Sequence, residues 1–218
     1  MTSTAQPTGQ PAGRHTGVFI AFEGGDGAGK STQVKLLAAA LTAVGRDVLV
    51  TRQPGGTELG VEIRTLVLHG GHVSPRAEAL LYAADKAHHV DTVIGPALAE
   101  GKVVVTDRYV DSAIAYQGAG RDLGAAEIAG LQGWAVGGLL PDLTIILDVP
   151  PEVGRSRRGT VHDRLEAEGD AFHAAVREHF LVLAAAAPER YLLVDGALRS
   201  DVIHAAVIER LTATGVLP

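Results

Sequence analysis

The chain of 218 residues sets 19 Lys and Arg against 25 Asp and Glu, a formal charge of -6, with 46% hydrophobic and 20% charged residues. This balance excludes bulk disorder and argues against a basic surface built to neutralise nucleic-acid phosphates. The absence of cysteine removes disulfides, thiolate metal sites and thiol redox chemistry, which suits a reducing cytoplasm. No apolar run approaches the ~20 residues needed to span a bilayer, so a cytoplasmic protein without membrane attachment is expected.

Residues Met1 to Gly17 are rich in Thr, Gly, Pro and Gln and lack the apolar centre of a secretory signal, and they read as a disordered tail. From Val18 short β-branched runs alternate with Ala- and Leu-rich stretches, the rhythm of βαβ units in a single domain over residues 18–218. Strands are expected at Val18–Glu23, Asp47–Thr51, Val103–Asp107, Leu143–Asp148 and Arg190–Asp195. Their interiors are almost wholly apolar, as parallel strands covered on both faces should be. Helices are expected at about Lys30–Val44, Thr57–Leu68, Arg76–Glu100, Ala125–Val136, Ala171–Ala187 and Asp201–Ala213. Pro54–Gly56 and Pro150–Pro151 mark loops, and the charged stretch Arg155–Gly169 reads as a mobile surface segment.

Between the first strand and the first helix lies Gly24-Gly25-Asp26-Gly27-Ala28-Gly29-Lys30-Ser31, followed by Thr32, which satisfies G-x4-G-K-[ST] in the context that motif requires. Such a loop wraps backbone amides and a helix N-terminus around phosphate oxygens. Lys30 is expected at the β- and γ-phosphates, and Ser31 offers its hydroxyl to Mg2+. A P-loop NTPase-type α/β three-layer sandwich with a five-stranded parallel sheet follows. The loop itself specifies a nucleoside triphosphate and leaves the reaction open. No Asn-Lys-x-Asp-like segment marks a guanine-reading switch protein. Arg52 and Arg108 instead end later strands on the P-loop's rim, where a second anionic substrate would meet them.

FEGGDGAGKST, TRQPGGT, LLYAADKAHH, DRYVDSAIAYQG and PDLTIILDVPPEVG occur in that order, and through them the chain from about Val18 to its C-terminus resembles the thymidylate kinase family. The resemblance implies ATP and thymidine monophosphate as substrates, Mg2+ as cofactor and a homodimer. It implies that Arg108 clamps the acceptor phosphate and that Asp107 supports Mg2+. Arg52 and Arg64 match positions near the acceptor monophosphate, although Arg64 also suits a solvated helix. Asp26 matches an acid near the acceptor sugar, or only shapes the turn. Tyr82 falls where an aromatic ring stacks on thymine, while Ser112, Tyr116 and Gln117 line the base and deoxyribose. Lys86 departs from the family's usual Arg, and Gln53 from its frequent Glu.

The P-loop holds no Arg among its variable positions, so a short lid at about 152–169 is expected to supply the missing cation from Arg155, Arg157, Arg158 or Arg164. This is similar to the family's bacterial subgroup. Other acceptors within the same fold, either another nucleoside monophosphate or a deoxynucleoside, remain open. A regulatory nucleotide-binding module is the reading from another class.

Overall fold

The computed structural model describes residues 16–157, 159 and 163–217. The expected Met1–Gly17 tail therefore lies mostly outside the described residues, as does Arg158 of the expected lid. Thr16 and Gly17 are described, and they are tied down: the Thr16 hydroxyl donates to Ala99 O at 3.2 Å and the Gly17 amide to Leu98 O at 2.9 Å.

Five parallel strands form one sheet in the order β2-β3-β1-β4-β5: β1 Val18–Gly24, β2 Val48–Arg52, β3 Val103–Asp107, β4 Leu143–Asp148 and β5 Tyr191–Asp195. All five expected strands are present, with ends displaced by no more than one residue. Alternation along β1 sends Ile20 and Phe22 into a core with Leu37, Leu41, Val207 and Leu211, which belong to α1 (Lys30–Ala43) and α9 (Ser200–Ala213). Phe19 and Ala21 face the opposite core, with Ile94, Leu98 and Tyr109. A sheet apolar on both faces must be covered on both, which produces the three layers.

The second face is built from α2 (Glu58–Arg64), α3 (Pro75–His89), α4 (Gly95–Ala99), α5 (Val110–Ala113), α6 (Ala125–Ala135) and α8 (Asp170–Ala186). Thr57 is the N-cap of α2, its hydroxyl accepting from Gly60 N at 2.9 Å. Pro75 opens α3 at a position where its missing N–H costs nothing. Here the structure amends three expectations. The helices expected over Thr57–Leu68 and Arg76–Glu100 each contain a π-helical turn, at Thr65–His69 and Val90–Ile94. A short helix and a third π-turn, Ile114–Gly120, occupy a stretch for which no helix was expected. Such wide turns insert a residue and re-aim the side chains that follow, an adjustment that 3.6-residue periodicity does not register.

The third amendment concerns the segment after β4. Pro151 starts α7, Pro151–Ser156, because proline is favoured in a helix's first turn even where it would break the interior. Beyond it, Leu165 is buried against Tyr82, Tyr116 and Phe172, so Arg155–Gly169 is not a surface segment throughout. Among the described residues no helix is long and apolar enough to cross a membrane.

Candidate active site

The β1–α1 loop stands where the chain's crossovers diverge to the two sides of β1, at the carboxyl ends of the strands. Gly24 and Gly27 take positive φ of 125° and 78°. A Cβ on Gly24 would lie 2.3 Å from Leu147 O, and one on Gly27 would lie 2.2 Å from Gly154 O. Both φ and space therefore demand glycine. Lys30 folds back along the loop, its Nζ donating to Gly24 O at 3.0 Å and Gly25 O at 2.8 Å. Burial, with the Arg108 charge nearby, pushes its pKa down. Ser31 Oγ donates to Asp107 Oδ2 at 2.7 Å, so the two oxygens expected at Mg2+ are neighbours. A hydroxyl and a carboxylate at the mouth of a phosphate loop suit a hard cation that takes its remaining ligands from phosphate and water.

Arg108 is held in a left-handed conformation, φ 68°. Its surroundings account for this strain. Its amide donates to Phe22 O at 2.9 Å, and Thr106 Oγ1 donates to its carbonyl at 2.9 Å. Its guanidinium donates to Gly24 O at 3.1 Å, Ser112 Oγ at 2.9 Å and Tyr116 Oη at 3.2 Å, and forms an ion pair with Asp26. The Tyr116 hydroxyl completes the triangle by donating to Asp26 Oδ2 at 2.8 Å. Burial raises the pKa of Asp26, but the charges of Arg108 and Lys30 outweigh it and hold the carboxyl well below its usual range. Underneath, fully buried Glu23 accepts from Tyr109 N at 2.7 Å, Ser112 N at 3.0 Å and Ser112 Oγ at 2.5 Å. Glu23 was not singled out from the sequence, although an acid ending an otherwise apolar strand is an available signal.

Arg52 and Arg64 flank this cluster without ion pairs among the described residues; Arg64 donates only to Pro54 O, at 3.2 Å. Burial and the nearby Arg52 charge lower the pKa of Arg64. Two neighbouring guanidiniums, neither held in an ion pair among the described residues, suit the binding of an anion. With Lys30, Ser31, Asp107 and Arg108 they line one cleft of about 1110 Å³.

A second cavity of about 510 Å³ shares Asp26, Gln53, Arg64 and Arg108 with that cleft, then runs on past Tyr82, Lys86, Ser112, Tyr116 and Gln117. Glu78, Tyr82, Lys86 and His89 recur along one buried face of α3, so that face serves a cavity rather than a plain apolar core. The Lys86 ammonium lies 5.4 Å from the Tyr82 ring centroid, and burial lowers its pKa to about 8. Gln53 donates from Nε2 to Nδ1 of buried His89 at 3.0 Å, leaving the His89 Nε2–H for Thr51 Oγ1 at 2.8 Å. Burial holds His89 down at about 4, so it stays neutral and braces the loop.

The expected lid arginines separate. Arg157 donates to Gly196 O at 2.7 Å and lines the P-loop cleft. Arg155 forms an exposed ion pair with Asp170, on the outer side of α8's first turn. Arg164 is drawn away from the cleft, bonded through Nε to Val67 O at 2.8 Å and paired with Glu78. Arg158 lies outside the described residues.

Residues 22–207 match the family model described as thymidylate kinase. The thymidylate kinase of Clavibacter michiganensis subsp. michiganensis is 58% identical over 202 residues, covering 91% of this chain and 96% of its own. That of Cutibacterium acnes is 57% identical over 198 residues, covering 90% and 97%. The crystal structure of thymidylate kinase from Ehrlichia chaffeensis superposes with a TM-score of 0.76 at 32% identity, covering 89% of this chain and 98% of that one. With a P-loop, a rim of arginines and an adjoining cavity in place, the chain belongs to the thymidylate kinase family.

Proposed function

We propose that the protein transfers the γ-phosphoryl group of ATP to thymidine monophosphate, giving ADP and thymidine diphosphate. The observation that carries this reading is the continuity of the two cavities. The P-loop cleft and the Tyr82–Gln117 cavity meet at Asp26, Arg64 and Arg108, so a monophosphate reaching out of the second cavity faces the phosphates held in the first.

The residues divide the work accordingly. Gly24, Gly25, Asp26, Gly27, Ala28, Gly29, Lys30, Ser31 and Thr32 hold the donor triphosphate. Arg52, Arg64 and Arg108 hold the acceptor phosphate, while Tyr82, Lys86, Ser112, Tyr116 and Gln117 hold its sugar and base. An acceptor phosphate oxygen forms the new bond to the γ-phosphorus as the bond to the bridging oxygen of ADP breaks. The attacking phosphate oxygen is already ionised near neutral pH, so no general base is required, and alignment with charge stabilisation carries the rate. Mg2+, held by Ser31 and Asp107, would neutralise phosphate charge. Arg157 reaches the cleft from α7 and is the lid arginine assigned to the transition state.

A homodimer is part of the proposal. Its support is that α3, which packs against both α2 and α6, and those two helices expose Leu80, Leu59 and Trp134, the last 81% exposed. A cytoplasmic location agrees with a cysteine-free nucleotide enzyme.

The test is a coupled ADP-release assay across thymidine, uridine, cytidine, guanosine and adenosine monophosphates in deoxy and ribo forms. Fastest turnover with thymidine monophosphate is expected. ADP release that no acceptor accelerates would remove the kinase reading.

A further inference from the structure

Glu78 is wholly buried in the first turn of α3 and touches neither the P-loop nor the rim arginines, yet three donors converge on its carboxylate. Gln117 Nε2 donates to Oε1 at 2.7 Å. Arg121 spans both oxygens at 3.4 Å, and Arg164 pairs with Oε2. The two guanidiniums are fixed in turn. Arg164 Nε is bonded to Val67 O, while Arg121 pairs with Glu168 at 2.5 Å and lies 5.1 Å over the Phe172 ring. The carboxylate is thus clamped and has little freedom to turn.

An unrestrained glutamine amide is ambidextrous, because a flip about its last bond exchanges donor and acceptor. Alone it would serve thymine, which presents a ring N–H, and cytosine, whose ring nitrogen accepts, about equally well. A carboxylate only accepts. The atom of Gln117 facing Glu78 must therefore be its NH2, and a flip would set two acceptor oxygens against each other in a buried space, with the donor left unpaired. Gln117 lines the acceptor cavity and is 1% exposed, so the group it turns to a ligand is decided internally.

We propose that Glu78 is a positioning residue that locks the Gln117 amide with its carbonyl oxygen toward the base, and thereby selects an acceptor with a ring N–H over one without. This rests on the reading of Gln117 as a base contact in the acceptor site. The same carboxylate joins the selection to the segment after α7 through Arg164, so the residues that read the base and those that follow the donor-side arginine share one buried anchor.

The experiment compares kcat/KM for deoxythymidine and deoxycytidine monophosphates in the full chain, its Glu78→Gln, Glu78→Asp and Gln117→Ala variants. In Glu78→Gln the thymidine-to-cytidine ratio should fall at least about tenfold, chiefly through a higher KM for thymidine monophosphate and with the KM for ATP unchanged. Glu78→Asp keeps an acceptor-only group and should recover most of the ratio. A merely structural Glu78 would lower both acceptors in parallel, and that result, or an unchanged ratio, overturns the proposal. Gln117→Ala separates the two levels. If it keeps the wild-type ratio, the base-contact reading fails and the Glu78 role with it. If it loses the ratio while Glu78→Gln keeps it, only the Glu78 role fails. Should Glu78→Gln not fold, the side-chain amide resonances of Gln117 in the wild-type protein decide. A locked amide shows one Nε2 proton shifted and protected from exchange without nucleotide, and two freely exchanging protons would overturn the inference.

Discussion

Lys86 shows how one side chain can set a pH dependence. Burial lowers its pKa from 10.5 to about 8, so the ammonium that lines the second cavity loses its proton as pH rises past that value. The KM for thymidine monophosphate is expected to climb above pH 8 in the wild type and to stay level in Lys86→Arg, whose guanidinium does not titrate there. A pH–KM series on both proteins checks this, and a level wild-type profile would remove the Lys86 contact. The stability effect has the opposite sense. Between about pH 8 and 10.5 the unfolded chain binds more protons at this position than the folded one, so the Lys86 contribution to stability improves as pH rises across that window. The lid arginines also divide at this scale. Arg157→Ala should lower kcat at least roughly tenfold, as loss of a transition-state cation does, whereas Arg155→Ala, which opens only an exposed ion pair, should leave it within about twofold. Steady-state kinetics on the two variants distinguishes them, and equal effects would contradict the assignment.

At the scale of elements, the coupling of α7 to the P-loop is a matter of space. A Cβ on Gly154 would lie 2.4 Å from Asp26 O, and neither backbone can give way without displacing the phosphate loop. Gly154 does not have positive φ, so the effect of Gly154→Ala is steric and local. Its expected result is a kcat/KM for ATP reduced by about tenfold or more with the fold retained, measurable by kinetics alongside circular dichroism. The π-turn over Ile114–Gly120 acts on the same scale. It carries Tyr116 and Gln117 on adjacent positions, both lining the second cavity, one bonded to Asp26 and the other to Glu78.

For the molecule as a whole, the exposed apolar side chains on α2, α3 and α6 predict self-association. Sedimentation equilibrium should show a dimer for the wild type and a monomer for a Leu80→Glu/Trp134→Glu double variant; an unchanged mass would place the interface elsewhere. Stability should also carry a signature from Asp111, buried beneath the site with Oδ1 accepting from the Tyr191 hydroxyl at 3.1 Å. Burial, with Glu23 nearby, raises its pKa to about 7, so the folded state holds a proton that the unfolded state has released. The Asp111 contribution therefore weakens as pH rises from about 4 to 7, and Asp111→Asn should flatten that part of a pH–Tm profile.

Much of this was legible in the one-dimensional chain because its signals are local. The five strands follow from short apolar runs, and the phosphate loop follows from glycines that only one backbone path can use. Arg52, Asp107 and Arg108 take their place from the ends of β2 and β3, Lys30 and Ser31 from the start of α1 just after β1, and parallel strands deliver their carboxyl ends to one rim. What tertiary structure alone decided depends on partners distant in sequence. Arg164 looks like its neighbours in a basic segment, but its guanidinium turns to Glu78, 86 residues away, while Arg157 remains at the cleft. Glu23 and Glu78 are single acids until folding buries them among donors. A buried carboxylate must find its hydrogen bonds wherever the packed chain supplies them, and no periodicity records where that is.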